Sequence, residues 1–159
     1  MASQTTHYLI LSGWQGSPDD HWQSHWQRSL PNASRVEQAD WHNPDPHSWV
    51  AALERQVAAA RSPLILVAHS LGCVTVARWA AQAPLASLRK VRGALLVAPA
   101  DVEAPGALEE IRGFADWVGK YQNPILIASI AVVVVLDSEG RKLSKSTGAP
   151  ALDVDRLMS

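Results

Sequence analysis

Ser70 stands in the stretch Leu64-Ile65-Leu66-Val67-Ala68-His69-Ser70-Leu71-Gly72, where an unbroken apolar run gives way to Ala-His-Ser-Leu-Gly and then to an amphipathic segment. A serine with small residues two places before and two places after it suits a sharp strand-to-helix turn. A longer side chain at position 68 or 72 would strike the neighbouring strand or helix. Such a turn lifts the hydroxyl clear of the sheet edge. It also aims the positive end of the helix at the same point, where a developing oxyanion is stabilised. The chemistry is that of a serine nucleophile attacking a carbonyl, with the backbone N–H of Leu71 as one oxyanion donor. The plainer alternative is that Ser70 only caps the helix. Cys73, one turn further on, reads as a small buried residue rather than a nucleophile.

A second loop, Ser12-Gly13-Trp14-Gln15-Gly16-Ser17-Pro18-Asp19-Asp20-His21-Trp22, follows an earlier apolar run. In an open α/β sheet, a loop at the carboxyl end of a neighbouring strand faces the same crevice. The backbone N–H of Trp14 or Gln15 could supply the second oxyanion donor, and the Trp14 indole could wall the pocket. His21 is the best candidate for a general base, and Asp137, at the end of an apolar run, for the acid. His69 precedes Ser70 in the turn, so its ring is expected to point away from the hydroxyl. His42 and His47 are weaker candidates. His21 and His25 are spaced i, i+4, which can hold zinc, but no Glu lies between them and no third ligand is evident. No metal and no cofactor is expected.

Elements that would hold these residues alternate along the chain. Residues 7–13 read as a buried strand ending in Gly, and residues 34–40 as a weaker one. Between them Trp22, Trp26 and Leu30 recur at helical spacing behind Asp19 or Asp20 as cap. Ser48 can cap a second helix with Trp49, Leu53, Val57 and Ala60 on one face. Residues 63–69 form a near-continuous apolar run, as a central parallel strand buried on both faces should. A helix from Leu71 to Ala83 stops at Pro84. Residues 91–99 are the next strand, 105–119 look helical, and a further strand starts at Ile125. Trp22, Trp26, Trp49 and Trp79 read as core anchors. The alternation predicts a doubly wound parallel α/β sheet of about five strands, with Ser70 after the third.

Composition narrows the function. The 159 residues are 47% hydrophobic and 18% charged, with a formal net charge of -1. That is a globular composition with no electrostatic reason to expect nucleic acid or an anionic membrane as partner. Arg141, Lys142 and Lys145 read as part of a solvated tail. One cysteine and no basic apolar leader point to a soluble protein of a reducing compartment, the cytoplasm. Residues 1–137 are expected to form one domain and 138–159 a polar tail that packs poorly.

Four motifs, GWQGSPDDHWQSHW, DWHNPDPHSWV, LVAHSLGC and GALLVAPAD, occur in that order. Together they resemble the serine hydrolase family of retinoblastoma-binding protein 9 and its bacterial relatives, from about His7 to Ser129. The resemblance implies an α/β-hydrolase fold, a Ser-Asp-His triad with Ser70 as nucleophile, and esterase-like action on a small ester or amide. In that family the acid follows the strand that residues 125–129 resemble, and the histidine lies near the C-terminus. Here the strand runs on as IAVVVVLDSEG, and no histidine follows His69. The expectation is a C-terminally truncated or altered hydrolase of impaired activity, or a catalytically dead one serving as a binding module. The segment from about 132 to 155, VVVVLDSEGRKLSKSTGAPALD, resembles the Lys-x-Ser-Lys-Ser region of glutamyl-queuosine tRNA synthetase. That implies a tail joined from elsewhere, since no nucleotide-binding motif accompanies it.

Overall fold

The computed structural model describes residues 5–117 and the strand Ala131–Val135. Strands β1 (His7–Leu11), β2 (Ala33–Arg35), β3 (Leu64–His69), β4 (Val91–Val97) and β5 (Ala131–Val135) form one sheet in the order β2-β1-β3-β4-β5. Every neighbouring pair is parallel. The helices are α1 (Trp22–Ser29), α2 (Pro46–Ala59), α3 (Leu71–Gln82) and the short α4 (Leu85–Leu88), followed by a 3₁₀ helix at Glu109–Trp117. Strand order reverses between β1 and β3. Right-handed crossovers therefore send the chain to one face after β1 and to the other after β3. Among the described residues no helix is long and apolar enough to cross a membrane.

The period of two in β3 sorts its side chains. Leu64, Leu66 and Ala68 enter the main core with Leu9 and Leu11 of β1, while Val67 and His69 are buried on the other face. Across the main core lie Leu53 and Val57 of α2 and Val76, Trp79 and Ala80 of α3. Burying a side chain such as Leu53, 0% exposed, is worth about 2–3 kcal/mol. Glu54 ties the helices: its carboxylate oxygens accept from Trp79 Nε1 and Ser87 Oγ, both at 2.6 Å. Lys90 Nζ donates to the carbonyls of Ala58 and Ala60 at the end of α2, where cations are favoured.

Several boundaries differ from the sequence expectation. The cap of α1 is His21, not Asp19 or Asp20: a turn closed by His21 N–H to Pro18 O delays the helix, and the imidazole Nδ1 accepts from Gln23 N–H. The cap of α2 is Asp45, not Ser48, because Pro46 occupies the first helical position and the Asp45 carboxylate takes the Ser48 N–H at 2.7 Å. Of the four tryptophans, Trp49 and Trp79 are core residues, whereas Trp22 and Trp26 are half-buried and stack edge-on. The buried residues of α1 are Gln23 and Ser24. Strand β2 covers only three residues, and in the segment 105–119 the helical part is the 3₁₀ helix from Glu109. Residues 125–130, Asp137 and the tail 138–159 lie outside the described residues.

The first turn of α3 packs against the end of β1. A Cβ on Gly72 would lie 2.5 Å from Leu11 O and 2.9 Å from Ser12 O, closer than real contacts allow. Gly72→Ala is expected to destabilise the fold by about 3 kcal/mol, since two backbone carbonyls must move. At Gly106 nothing lies within 4 Å of the added carbon. Gly106→Ala is expected to stay within about 0.5 kcal/mol of the parent. Urea midpoints of the two variants, compared with the parent, check both values.

Candidate active site

Ser70 sits between β3 and α3 with φ 54° and ψ -120°. A non-glycine residue held there costs about 1–3 kcal/mol, tolerated only where the surroundings over-determine the backbone. They do: Ser70 N–H donates to Val97 O, and Ser70 O accepts from Cys73 N–H and Ala100 N–H. Its side chain makes no capping bond to the helix, so the cap alternative has no support in the geometry. Gly13 completes the fit, for a Cβ there would lie 2.9 Å from Ser70 Cβ. Ser70 is half-buried and lines a cleft of about 730 Å³.

The cleft brings together three chain segments. Trp14 and Gln15 come from the loop after β1, His69 to Leu71 from the turn, and Ala98 to Ile111 from the chain after β4. The Trp14 indole is fixed by a bond from Nε1 to His42 O at 2.8 Å. Leu108, half exposed, and Ile111 give an apolar wall, and Asp101 is the sole charged residue among the described residues that line the cleft. This wall is anchored through Arg78 on α3, which donates to the Gly113 and Phe114 carbonyls and lies over the Phe114 ring. Behind it Trp41, Trp49 and Phe114 stack edge to face at 5.6 and 5.8 Å.

The two candidate oxyanion loops meet unequally. Leu71 is the first residue of α3, where an N–H has no intrahelical partner. The N–H of Gln15 is spent on Trp41 O at 2.9 Å, which removes Gln15 as a donor. Trp14 N–H has no backbone acceptor among the described residues and is left as the candidate from that loop. His21 is drawn elsewhere: its Nδ1 caps α1, and its ring packs against His69 at 4.8 Å and Trp22 at 5.7 Å. His69 lies on the strand face opposite Ala68, against His21 and Trp22. Cys73 Sγ is buried and points at Val97 O. Among the described residues no cluster of three His, Cys, Asp or Glu could hold a metal ion.

Sequence reasoning passed over Gly13, Arg78 and Gln23. Gly13 carried a signal, since a glycine ending the first strand beside a proposed elbow invites a close approach. Arg78 and Gln23 carried none, because their roles depend on partners 35 and 44 residues away.

A serine held in strain between the central strand of a parallel sheet and a helix N-terminus, facing a cleft at the carboxyl edge, defines an α/β hydrolase. The chain belongs to the serine hydrolase family, whose model matches residues 8–156, including most of the segment beyond Asp137. The chain is similar to a YdeN-like hydrolase of Pectobacterium atrosepticum, with 33% identity and a TM-score of 0.54 over 59% of this chain and 49% of that one. It thus spans about half the length of that relative. It also shares the fold of the ydeN gene product of B. subtilis, with 21% identity, a TM-score of 0.61, and 82% and 71% of the two chains covered. No curated protein sequence matches significantly.

The loop that fixes Trp14 has its own anchor. The exposed Asp40 carboxylate accepts from the backbone and side-chain amides of Asn43 and from His42 N–H. These bonds, the Asn43 backbone first, hold its carboxyl below the ordinary carboxylate range. With the folded value depressed, its stabilisation is full above the unfolded value and is lost as pH falls through the folded one. Carboxyl NMR titration is expected to give Asp40 a midpoint below that of the unfolded chain. In Asp40→Asn, that part of the acid-side loss of stability should vanish.

Proposed function

We propose that this chain is a serine hydrolase that attacks a small ester or amide through Ser70, with slow turnover as it stands. The observation that carries the reading is the strained turn at Ser70, which lines one cleft together with Leu71 and Trp14. Ser70 Oγ adds to the substrate carbonyl carbon, and the carbonyl oxygen takes the negative charge beside the N–H groups of Leu71 and Trp14. Collapse expels the alcohol or amine with a proton, and water then releases the acid from the acyl-serine. The apolar wall at Leu108 and Ile111 suits an uncharged substrate, and among the described residues no Lys or Arg lines the cleft to hold a phosphate.

The low rate follows from the proton. All six histidines lie among the described residues, and no hydrogen bond joins any imidazole nitrogen to the Ser70 hydroxyl. A serine without an adjacent base is a weak nucleophile. The oxyanion hole and substrate binding can still supply roughly 10³–10⁴-fold over water. The same observation favours a second reading, in which the cleft binds its ligand without turnover. Buried Cys73 and the lack of disulfides among the described residues agree with action in the cytoplasm.

A fluorophosphonate probe separates the two readings. Labelling is expected on Ser70, slow, and absent in Ser70→Ala, while p-nitrophenyl acetate turnover stays near background. No labelling under prolonged exposure would favour the binding module. Vigorous turnover that His21→Ala abolishes would overturn the low-activity reading and make His21 the base.

A further inference from the structure

Helix α1 turns a polar residue into the densest part of the molecule. Gln23 is 0% exposed, and its Nε2 donates to Leu11 O at 2.9 Å and to Val67 O at 3.1 Å. These carbonyls lie at the carboxyl ends of β1 and β3, where the strand order reverses. Both can only accept, so the amide nitrogen must face them and Oε1 must face Ser17. Ser17 Oγ lies 2.8 Å from both Gln23 Oε1 and Ser12 Oγ. Since Oε1 also only accepts, Ser17 donates to it and Ser12 donates to Ser17. One side chain thereby joins the ends of two strands to the loop that carries Trp14.

We propose that Gln23 is a positioning residue for the oxyanion site: its carboxamide sets the distance between the Trp14 and Leu71 N–H groups. The proposal rests on the reading of Ser70 as nucleophile. Leu11 is three residues before Trp14, and Val67 is four before Leu71. Leu11 O is also the atom against which Gly72 of the same helical turn packs. A shift of the Leu11 carbonyl therefore moves both donors. Two donors serve one oxyanion only if their separation is held to about 0.5 Å, and an error near 1 Å can cost roughly 100-fold in rate. An amide suits this task because it offers two hydrogens to two diverging carbonyls and needs no charge in a buried place.

The test uses the full chain, with Gln23→Met, Gln23→Glu and the exposed control His25→Ala on the same helix. Two quantities are read: the amide NMR shifts of Trp14 and Leu71, and the rate of fluorophosphonate labelling per folded molecule. In Gln23→Met both amides are expected to move while Leu53 in α2 stays, and the maximal labelling rate should fall roughly 10- to 100-fold with the half-saturating probe concentration little changed. Gln23→Glu should recover part of the rate at low pH, where the buried carboxyl is protonated and can donate one hydrogen, and lose it as pH rises. A purely structural role would lower the folded fraction and leave the rate per folded molecule alone. Unmoved Trp14 and Leu71 amides, or a labelling rate within twofold of the parent, overturn the proposal. If Gln23→Met does not fold, Gln23→Glu carries the same comparison. If the parent is not labelled, the Ser70 reading fails by itself, and the amide shifts still decide the role of Gln23.

Discussion

The close approach of α3 to the end of β1 is the constraint on which the rest of the site depends. Gly72 lies against the carbonyls of Leu11 and Ser12, and Gly13 lies against Ser70. One glycine on each side of the β1–β3 seam lets two turns share a space that side chains would otherwise fill. Once α3 starts that close, the chain cannot leave β3 by an ordinary extended residue. Ser70 is forced to positive φ, and the bonds to Val97, Cys73 and Ala100 hold it there. Strain of about 1–3 kcal/mol at one residue is small beside the burial of α3 against the sheet. The hydroxyl's position is thus a consequence of packing.

That seam is also where an open α/β sheet has its natural crevice, because the connections after β1 and β3 depart to opposite faces. The polar atoms exposed there would be costly if left unpaired. Leu11 O and Val67 O are met by Gln23, and Gln15 N–H by Trp41 O. On the proposed reading, what remains for a substrate among the described residues is the pair of N–H groups at Leu71 and Trp14. The site is therefore defined as much by the polar groups already satisfied as by those still open.

Periodicity and small residues made the strands, α3 and the elbow legible in the sequence, since 64–69 is apolar throughout and Gly72 has no other good explanation. Local rules misplaced the caps of α1 and α2 because several residues at each start could have capped. A turn at Pro18 and a proline at position 46 chose among them. The helical spacing of Trp22 and Trp26 suggested an apolar buried face, yet α1 buries Gln23 and Ser24 because it covers strand ends whose carbonyls need donors. Gln15 looked equal to Trp14 as an oxyanion donor. Only its tertiary partner, Trp41, distinguishes them, and no spacing in the sequence announces a bond across 26 residues.

The fifth strand changes how the C-terminal part reads. Gly93 to Val97 of β4 pair in register with Ala131 to Val135, so the valine run is a strand beside β4. The resemblance to small serine hydrolases puts the acid just after the strand that follows β4. Counted from residues 125–129, that place fell among apolar residues and the acid looked lost. Counted from Val135, the place the resemblance implies falls at 136–137, where the sequence has Asp137, outside the described residues. On the reading of Ser70 as nucleophile, fast acylation needs an imidazole within hydrogen-bond reach of its hydroxyl, because a carboxylate farther off cannot take that proton directly.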